Sequence, residues 1–350
     1  MNNLITGFFG VNNLGDDIML EAFYRSSAKK KELSLLRLYP GGGTDTPIKT
    51  DNISMFPRGK SILVDQYYSR IYDGLFWIGG TCMTDSAGDG AYGYMNSFKK
   101  RGKKIGYIGI GINEIHNPKR RDAYKDILDR ADIVTIRDVK SYEIAKELSG
   151  NPCIQLTEDL VYLSDEIIAP PVNDGIRRLL IAWRSLAGYY SREVENRALD
   201  ALLEAVDRHK AEYDEIVVTS LGNQVDVEEN RKLYERLSQS QPHVRFVEEL
   251  NYQKRIDLIR SATTVITGRL HGVFISEWNN INTVAIGYDT KVKSFLESIN
   301  RRENLVFPNT MSVDCIEAAL TNKPVELTRA EWNLRRCKSL KNIELFEALV

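Results

Sequence analysis

Residues 104–138 read KIGYIGIGINEIHNPKRRDAYKDILDRADIVTIRD, and this segment decides the class of fold. Lys104 to Ile110 is apolar almost without interruption, as a strand buried on both faces requires. Arg121 to Arg130 is amphipathic, and Asp132 to Ile136 is apolar again. Strand, helix and strand in that order form a βαβ unit, whose two strands run parallel. Upstream the same alternation gives strands at Leu4 to Phe9, Leu33 to Leu38 and Asp73 to Ile78. Helices are expected at Asp17 to Ala28 and Tyr92 to Lys100. Downstream come a helix at Ser141 to Leu148 and a weaker strand near Ile154 to Leu156.

Between Asp165 and Asp174 the alternation stops. Pro170 and Pro171 forbid a continuous helix there, flanked by Ala169 and Asn173, so the boundary between two domains is expected in this stretch. The pattern then restarts with a strand at Leu179 to Trp183, a helix from Ser191 to Lys210 and a strand at Glu215 to Ser220. Helices at Val227 to Ser238 and Tyr252 to Arg260 and strands at Val244 to Val247, Thr264 to Thr267 and Thr283 to Ile286 follow. The expectation is an α/β protein of two Rossmann-like doubly wound domains, 1–168 and 175–350, facing across a cleft. In such folds ligands gather at the carboxyl ends of the strands.

Composition narrows the function. Forty-seven Lys and Arg against 48 Asp and Glu leave a net charge of −1, so no nucleic-acid partner is expected and any anion site must be built locally. At 43% hydrophobic residues and a mean hydropathy of −0.32 the chain reads as globular. It has no apolar run long enough for a membrane span, and no signal peptide is read at MNNLITGFFGVNNLGDD, so a cytoplasmic location is expected. Cys82, Cys153, Cys315 and Cys337 lack any CxxC spacing and are expected to be reduced. None of the four histidines falls in HxH or HExxH, and no Asp-x-Asp occurs, so no metal site is expected. The basic stretch Arg335, Arg336, Lys338 and Lys341, with Trp332 and Leu340, reads as a solvated helix face, with peripheral contact to an anionic membrane as its alternative use.

Several strand ends carry candidate chemistry. The loop from Gly7 to Asp17, GFFGVNNLGDD, can turn its backbone N–H groups toward an anion or hydroxyl, yet it fits neither GxGxxG nor a Walker A loop. Asp16 or Asp17 as a helix N-cap is the structural alternative. Ile78-Gly-Gly-Thr-Cys-Met-Thr-Asp85 and the following 88–93 segment, GDGAYG, place Gly80, Asp85 and Asp89 where a sugar could approach, or form a plain loop. Tyr92 and Tyr94 suit stacking on a pyranose or core packing. Gly109 and Gly111 read as a tight turn. Arg137 with Asp138, and Ser220, end strands and are further cleft candidates; an Arg137–Asp138 surface pair is the ordinary alternative. Arg184, just past Leu179 to Trp183, is well placed to grip carboxylate or phosphate with its fixed fork.

Thr267-Gly-Arg-Leu-His-Gly272 is the strongest local signal. It lies between a β-branched strand and an apolar helix, so Arg269, Leu270 and His271 stand at a helix start, where backbone dipoles also favour negative charge. A fixed cation beside an imidazole suits an anionic substrate with proton transfer nearby. His116, His209 and His243 have no comparable context and read as structural or exposed.

In this ordered series the chain resembles the polysaccharide pyruvyl transferases over about Gly7 to Leu296. Asn13, Gly15 and Asp16 match the family's N-x-G-D loop; Gly79, Gly80 and Asp85 its Gly-Gly strand end; Gly109 and Gly111 its Gly-x-Gly turn. Arg137 and Asp138 match a strand-end Arg-acid pair, and Asp159 the acid before the crossover. Arg269, Leu270, His271 and Gly272 match the R-L-H-(G/A) block, which Tyr288, Asp289 and Lys291 follow. The family's Asp-Pro is Asp159-Leu160 here, and Asn282-Thr283 replaces a small residue plus Pro.

The resemblance implies the two-domain architecture of type B glycosyltransferases, phosphoenolpyruvate as donor and no separate cofactor. It implies a sugar diol as acceptor, free or lipid-linked, and a pyruvate ketal in cell-surface polysaccharide biosynthesis as product. Arg184, Arg269, Leu270 and His271 would surround the donor, with His271 and Arg269 catalytic. Asn13, Asp16, Gly80 and Asp85 would meet the acceptor, and Lys291 joins the cleft candidates. A nucleotide-sugar glycosyltransferase of the same architecture is the enzymatic alternative, and a non-catalytic module of a glycan pathway the other.

Overall fold

The computed structural model describes residues 2–37, 48, 53–55, 62–85, 91–169, 174–240, 243–248, 251–322 and 326–350. Leu38, Asp89 with its neighbouring glycines Gly88 and Gly90, and the boundary residues Pro170, Pro171 and Asn173 lie outside them. The chain divides into two compact units, 1–164 with 329–350, and 165–328.

The first unit runs β1 (Asn3–Gly7), α1 (Leu14–Ser26), β2 (Leu33–Arg37), β3 (Ile53–Met55), α2 (Ile62–Ile71), β4 (Gly74–Ile78), β5 (Thr81–Met83), α3 (Tyr92–Lys100), β6 (Lys104–Ile112), α4 (Pro118–Arg130), β7 (Ile133–Ile136), α5 (Val139–Leu148) and β8 (Ile154–Leu156). Its strands are parallel in the order β3-β2-β1-β4-β6-β7-β8, with β5 paired to β6. The chain therefore steps outward from β1 to one edge, then returns to β4 and builds the other half. The loops after β1 and β4 part at this switch, which is where an open α/β sheet takes ligands. Every residue of β1 and β4 is buried, as is β6 from Ile105 onward, because helices cover both faces of a parallel sheet.

The second unit runs β9 (Arg178–Ala182), α6 (Arg192–His209), β10 (Glu215–Thr219), α7 (Gln224–Ser238), β11 (Val244–Val247), α8 (Tyr252–Arg260), β12 (Thr264–Thr267), α9 (Leu270–Trp278), β13 (Asn282–Ile286), α10 (Thr290–Ser298), β14 (Leu305–Val306) and α11 (Val313–Thr321). The sheet order β11-β10-β9-β12-β13-β14, all parallel, puts its switch between β9 and β12. The expected class of fold is the one observed.

Three differences from the sequence reading have local causes. Helix α4 starts at Pro118 rather than Arg121: Asn117 accepts hydrogen bonds from the Lys119 and Arg120 N–H groups at 3.1 and 3.3 Å, and proline suits the first helical position. Helix α1 starts at Leu14, so Asn13 holds the N-cap position and Asp16 and Asp17 sit in the first turn. Asp17 reaches back instead, its Oδ1 accepting from Gly10 N–H at 3.1 Å.

The largest difference concerns the last helix, α12 (Arg329–Leu349), which belongs to the first unit and not, as expected, to the second. Its inner side carries Trp332, Ser339, Asn342, Ile343 and Phe346. Phe346 sits edge-on to Phe23 of α1 and Phe76 of β4, with ring centroids 5.1 and 4.9 Å apart. Asn342 accepts from the hydroxyls of Thr135 and Thr157 and donates to the Glu158 carbonyl at 3.0 Å, while Ser339 donates to the Asp159 carbonyl at 2.9 Å. These bonds from α12 add to the partners that the first unit itself supplies, such as the Ile136 carbonyl for Thr157 and Gly109 N–H for Thr135. Among the described residues no helix is long and apolar enough to cross a membrane.

Candidate functional site

The richest chemistry in the second unit lies where β9, β10, β12 and β13 end. Past β9, Trp183 is buried, and Asn230 of α7 pairs with its backbone in both directions: Trp183 N–H donates to Asn230 Oδ1 at 2.8 Å, and Asn230 Nδ2 donates to the Trp183 carbonyl at 2.7 Å. Glu195 of α6 accepts from Leu186 N–H at 2.9 Å. The backbone on both sides of Arg184 is thus pinned by side chains from two helices.

The Arg184 guanidinium lies over the Tyr288 ring, 3.9 Å from its centroid, and 5.3 Å from that of Tyr189, whose hydroxyl accepts from Nη2 at 3.3 Å. Stacking of this kind orients the planar fork without consuming its N–H groups. The Nε atom of Arg184 is buried with no hydrogen-bond partner among the described residues. Burial opposes the charge, but Tyr288, Tyr189, Asp226 and Asp289 outweigh it and hold the Arg184 pKa above its ordinary value. Burial also pushes the Tyr288 hydroxyl well up, reinforced by Asp289 and opposed by Arg184 and Arg269, so Tyr288 is a neutral platform.

After β12, Thr267 Oγ1 donates to the Ala182 carbonyl at 2.8 Å and accepts from Arg269 N–H at 3.1 Å, which ties the turn to the end of β9. Gly268 permits that approach, since a Cβ there would stand 3.3 Å from the Cβ of Arg184. Arg269 occupies the N-cap position of α9, and Leu270 and His271 form its first turn, all three half-buried. Arg184 and Arg269 therefore leave neighbouring strands on either side of the switch, with the positive end of α9 alongside.

Asp226 in the first turn of α7 is buried, and its Oδ2 accepts from Arg269 Nε at 2.6 Å and lies 2.5 Å from Nη2, while Oδ1 accepts from Ser185 N–H at 3.2 Å. Ser220 shapes the turn after β10: its Oγ accepts from Gly222 N–H at 3.2 Å and donates to the Gly222 carbonyl at 3.3 Å. Lys291 is engaged locally, its Nζ 3.2 Å from Asp289 Oδ2, and Asp289 caps α10 by accepting from Lys291 N–H at 3.0 Å.

The first unit gathers its own set at its switch. Asn13 donates to Asp16, and Asp16 lies against Gly80, where a Cβ would stand 2.6 Å from Asp16 Oδ1. Gly80 also has φ of +69°, so glycine is required there on two grounds. Arg137 is buried rather than on the surface: Nη1 donates to Asp159 Oδ2 at 3.0 Å and Nη2 to Thr81 Oγ1 at 3.2 Å, with Asp138 farther off at 3.8 Å. Burial opposes its charge, and Asp159, Asp138 and Asp16 together hold its pKa above the ordinary value. Asp85 stands apart from this group. Its carboxylate accepts from the backbone N–H groups of His116 and Asn117 at 2.8 and 2.9 Å, which lowers its pKa and braces the entry to α4.

Asp226, Gly222 and Asn230 escaped the sequence reading. An acid in a helix's first turn is ordinary dipole chemistry, and a glycine after a strand is an ordinary turn. Only the short run Ser220-Leu-Gly222, parallel to the Gly-containing ends of other strands, could have drawn attention to this loop.

The family model for polysaccharide pyruvyl transferase matches residues 13–290. No curated protein matches the chain. Among solved structures the chain is similar to the UDP-N-acetylglucosamine 2-epimerase of Rickettsia bellii, at 12% identity and a TM-score of 0.62, covering 99% of this chain and 96% of that one. An Anabaena protein solved with UDP and glucose aligns at 9% identity and a TM-score of 0.63 over 100% and 99% of the two chains. The UDP-GlcNAc 2-epimerase of Neisseria meningitidis, bound to UDP-GlcNAc, aligns at 12% identity and a TM-score of 0.53 over 99% and 100%. At such identities these likenesses speak for the fold alone: two Rossmann-like domains in one chain.

Proposed function

The chain belongs to the polysaccharide pyruvyl transferase family, a family of transferases that implies a sugar acceptor, and from that premise we propose that it uses phosphoenolpyruvate to form a pyruvate ketal on a sugar diol. The observation that carries this reading is the pair of guanidinium groups, Arg184 and Arg269, presented from neighbouring strands beside the N-terminus of α9. Phosphoenolpyruvate joins a carboxylate to a phosphate and approaches three negative charges. A chain of net charge −1 must bring cations together to bind it.

In the reaction a proton is added to the methylene carbon of the donor, leaving an oxocarbenium-like centre at C2. One sugar hydroxyl attacks C2 and loses its proton; phosphate departs, and the second hydroxyl closes the ketal. The balance is one donor and one diol giving one ketal and one phosphate, with no redox step and no cofactor. His271, one residue from Leu270 and two from Arg269 in the first turn of α9, serves as the acid for the carbon and then as the base for the hydroxyls, a role worth about 10²- to 10⁴-fold.

A thermal-shift panel tests the donor. A ligand that binds the native state raises its stability by RT ln(1 + [L]/Kd), so phosphoenolpyruvate is expected to raise Tm and UDP-, GDP- and CMP-sugars are not. Arg269→Ala is expected to shrink the shift, leaving the weaker binding that Arg184 supports alone. A shift with a nucleotide sugar alone would overturn the donor assignment.

A further inference from the structure

We infer that Asp226 is a positioning residue that aims both donor-binding arginines before any anion arrives. The inference rests on the reading of Arg184 and Arg269 as an anion site and names what sets their geometry. A guanidinium has five N–H groups in one plane and two edges able to grip an oxyanion. The side edge of Arg269, Nε with Nη2, is taken by Asp226 Oδ2 at 2.6 and 2.5 Å. Only the end edge, Nη1 with the second hydrogen of Nη2, is left to present to a ligand. The other oxygen of the same carboxylate accepts from Ser185 N–H at 3.2 Å, one residue past Arg184, so a single buried group fixes the backbone beneath one arginine and the side chain of the other.

The loop before α7 is shaped around this pair. A Cβ at Gly222 would stand 2.2 Å from Arg269 Nη2 and 2.2 Å from Asp226 Oδ2, so any other residue would force the two apart. Asn230, one turn along α7, donates to the Asp226 carbonyl at 2.7 Å as well as to Trp183, which ties the helix carrying Asp226 to the segment after β9 that carries Arg184.

Placing a carboxylate in an anion site costs electrostatic attraction, and that cost makes the inference testable by sign. If Asp226 were only a background charge, Asp226→Asn would make the site more positive and tighten anion binding. As a positioning residue its loss lets Arg269 swing, and binding weakens despite the extra positive charge, by roughly 10- to 100-fold. Gly222→Ala separates the pair without changing charge and is expected to weaken binding in the same direction. In an Arg269→Ala background the asparagine oxygen of Asp226→Asn can still accept from Ser185 N–H, so the charge effect is what remains and binding is expected to tighten.

The experiment measures Kd for phosphoenolpyruvate and inorganic phosphate by calorimetry on wild type, Asp226→Asn, Gly222→Ala, Arg269→Ala and Arg269→Ala/Asp226→Asn. In parallel, protein labelled with [15N]arginine reports the Nε–H signal of Arg269, assigned by its loss in Arg269→Lys. That signal is expected to be protected from exchange in the unliganded wild type and lost in Asp226→Asn and Gly222→Ala. Tighter binding by Asp226→Asn in both backgrounds would overturn the inference, and so would an Nε–H signal that survives the substitution. If wild type binds neither anion, the donor reading fails, while the Nε–H signal still decides whether Asp226 holds Arg269.

Discussion

Phe346→Ala puts the division of the chain to a direct test. Phe346 has no exposed surface and meets Phe23 and Phe76 edge-on, at 5.1 and 4.9 Å between centroids. Truncating a fully buried phenylalanine costs about 3–5 kcal/mol, from lost transfer free energy plus the cavity left behind. Both aromatic partners lie in α1 and β4, so the loss falls on the first unit although residue 346 lies in sequence beyond the whole of the second. At about 4 kcal/mol, amides in β1, β4 and β6 that exchange through opening of this unit should exchange roughly a thousandfold faster. Hydrogen exchange followed by mass spectrometry reads this peptide by peptide, with β9, β10 and β12 as internal controls expected to stay unchanged. An equal loss of protection in β9 and β12, or less than a tenfold change in β1 and β4, would refute the assignment of α12 to the first core.

Three further outcomes follow from particular contacts. Replacing Arg137 by Met leaves Asp159 buried without its cation and should destabilise the first unit by about 3–5 kcal/mol in urea unfolding; a variant of normal stability that had lost donor binding would instead make Arg137 a ligand-binding group. His271→Asn should lower kcat by about 10²- to 10⁴-fold with an unchanged melting temperature of the unliganded protein, and near-normal turnover would remove His271 from the proton transfers. Burial raises the Glu158 carboxyl from 4.5 to about 7 against the pull of Arg335. The folded protein then holds this proton more tightly than the unfolded chain, so the stability it contributes is complete below pH 4.5 and is lost as pH rises through 7. That loss amounts to at most about 3 kcal/mol. Glu158→Gln should flatten this decline in urea midpoints measured at pH 5 and pH 8, and an identical decline in both proteins would refute the assignment.

The central strands were legible because a parallel sheet buries both of its faces, which leaves continuous apolar runs such as Leu179 to Trp183 with nothing to confuse them with. The short edge strands β3, β5 and β14, of three, three and two residues, carry too little pattern to be seen. Arg184, Arg269 and His271 could be placed from sequence because a residue just past a buried strand is bound to emerge at the carboxyl edge of the sheet. Asp85 sits in the same kind of place, but whether a loop acid faces solvent or caps the backbone of His116 and Asn117 depends on a segment 31 and 32 residues away.

What the order of amino acids determined by itself is the alternation of strand and helix, hence two doubly wound sheets, and the identity of the residues that leave the strands at their switch points. Short-range physics governs these: periodicity, chain stiffness and the direction a chain must take out of a strand. Which core the last helix completes, and which carboxylate holds Arg269, were decided only by tertiary structure. An amphipathic helix fits any apolar surface of the right shape, and an acid fits any cation. Asp226 and Arg269 lie 43 residues apart, so only the pairing of β10, β9 and β12 into one sheet brings that carboxylate to that arginine.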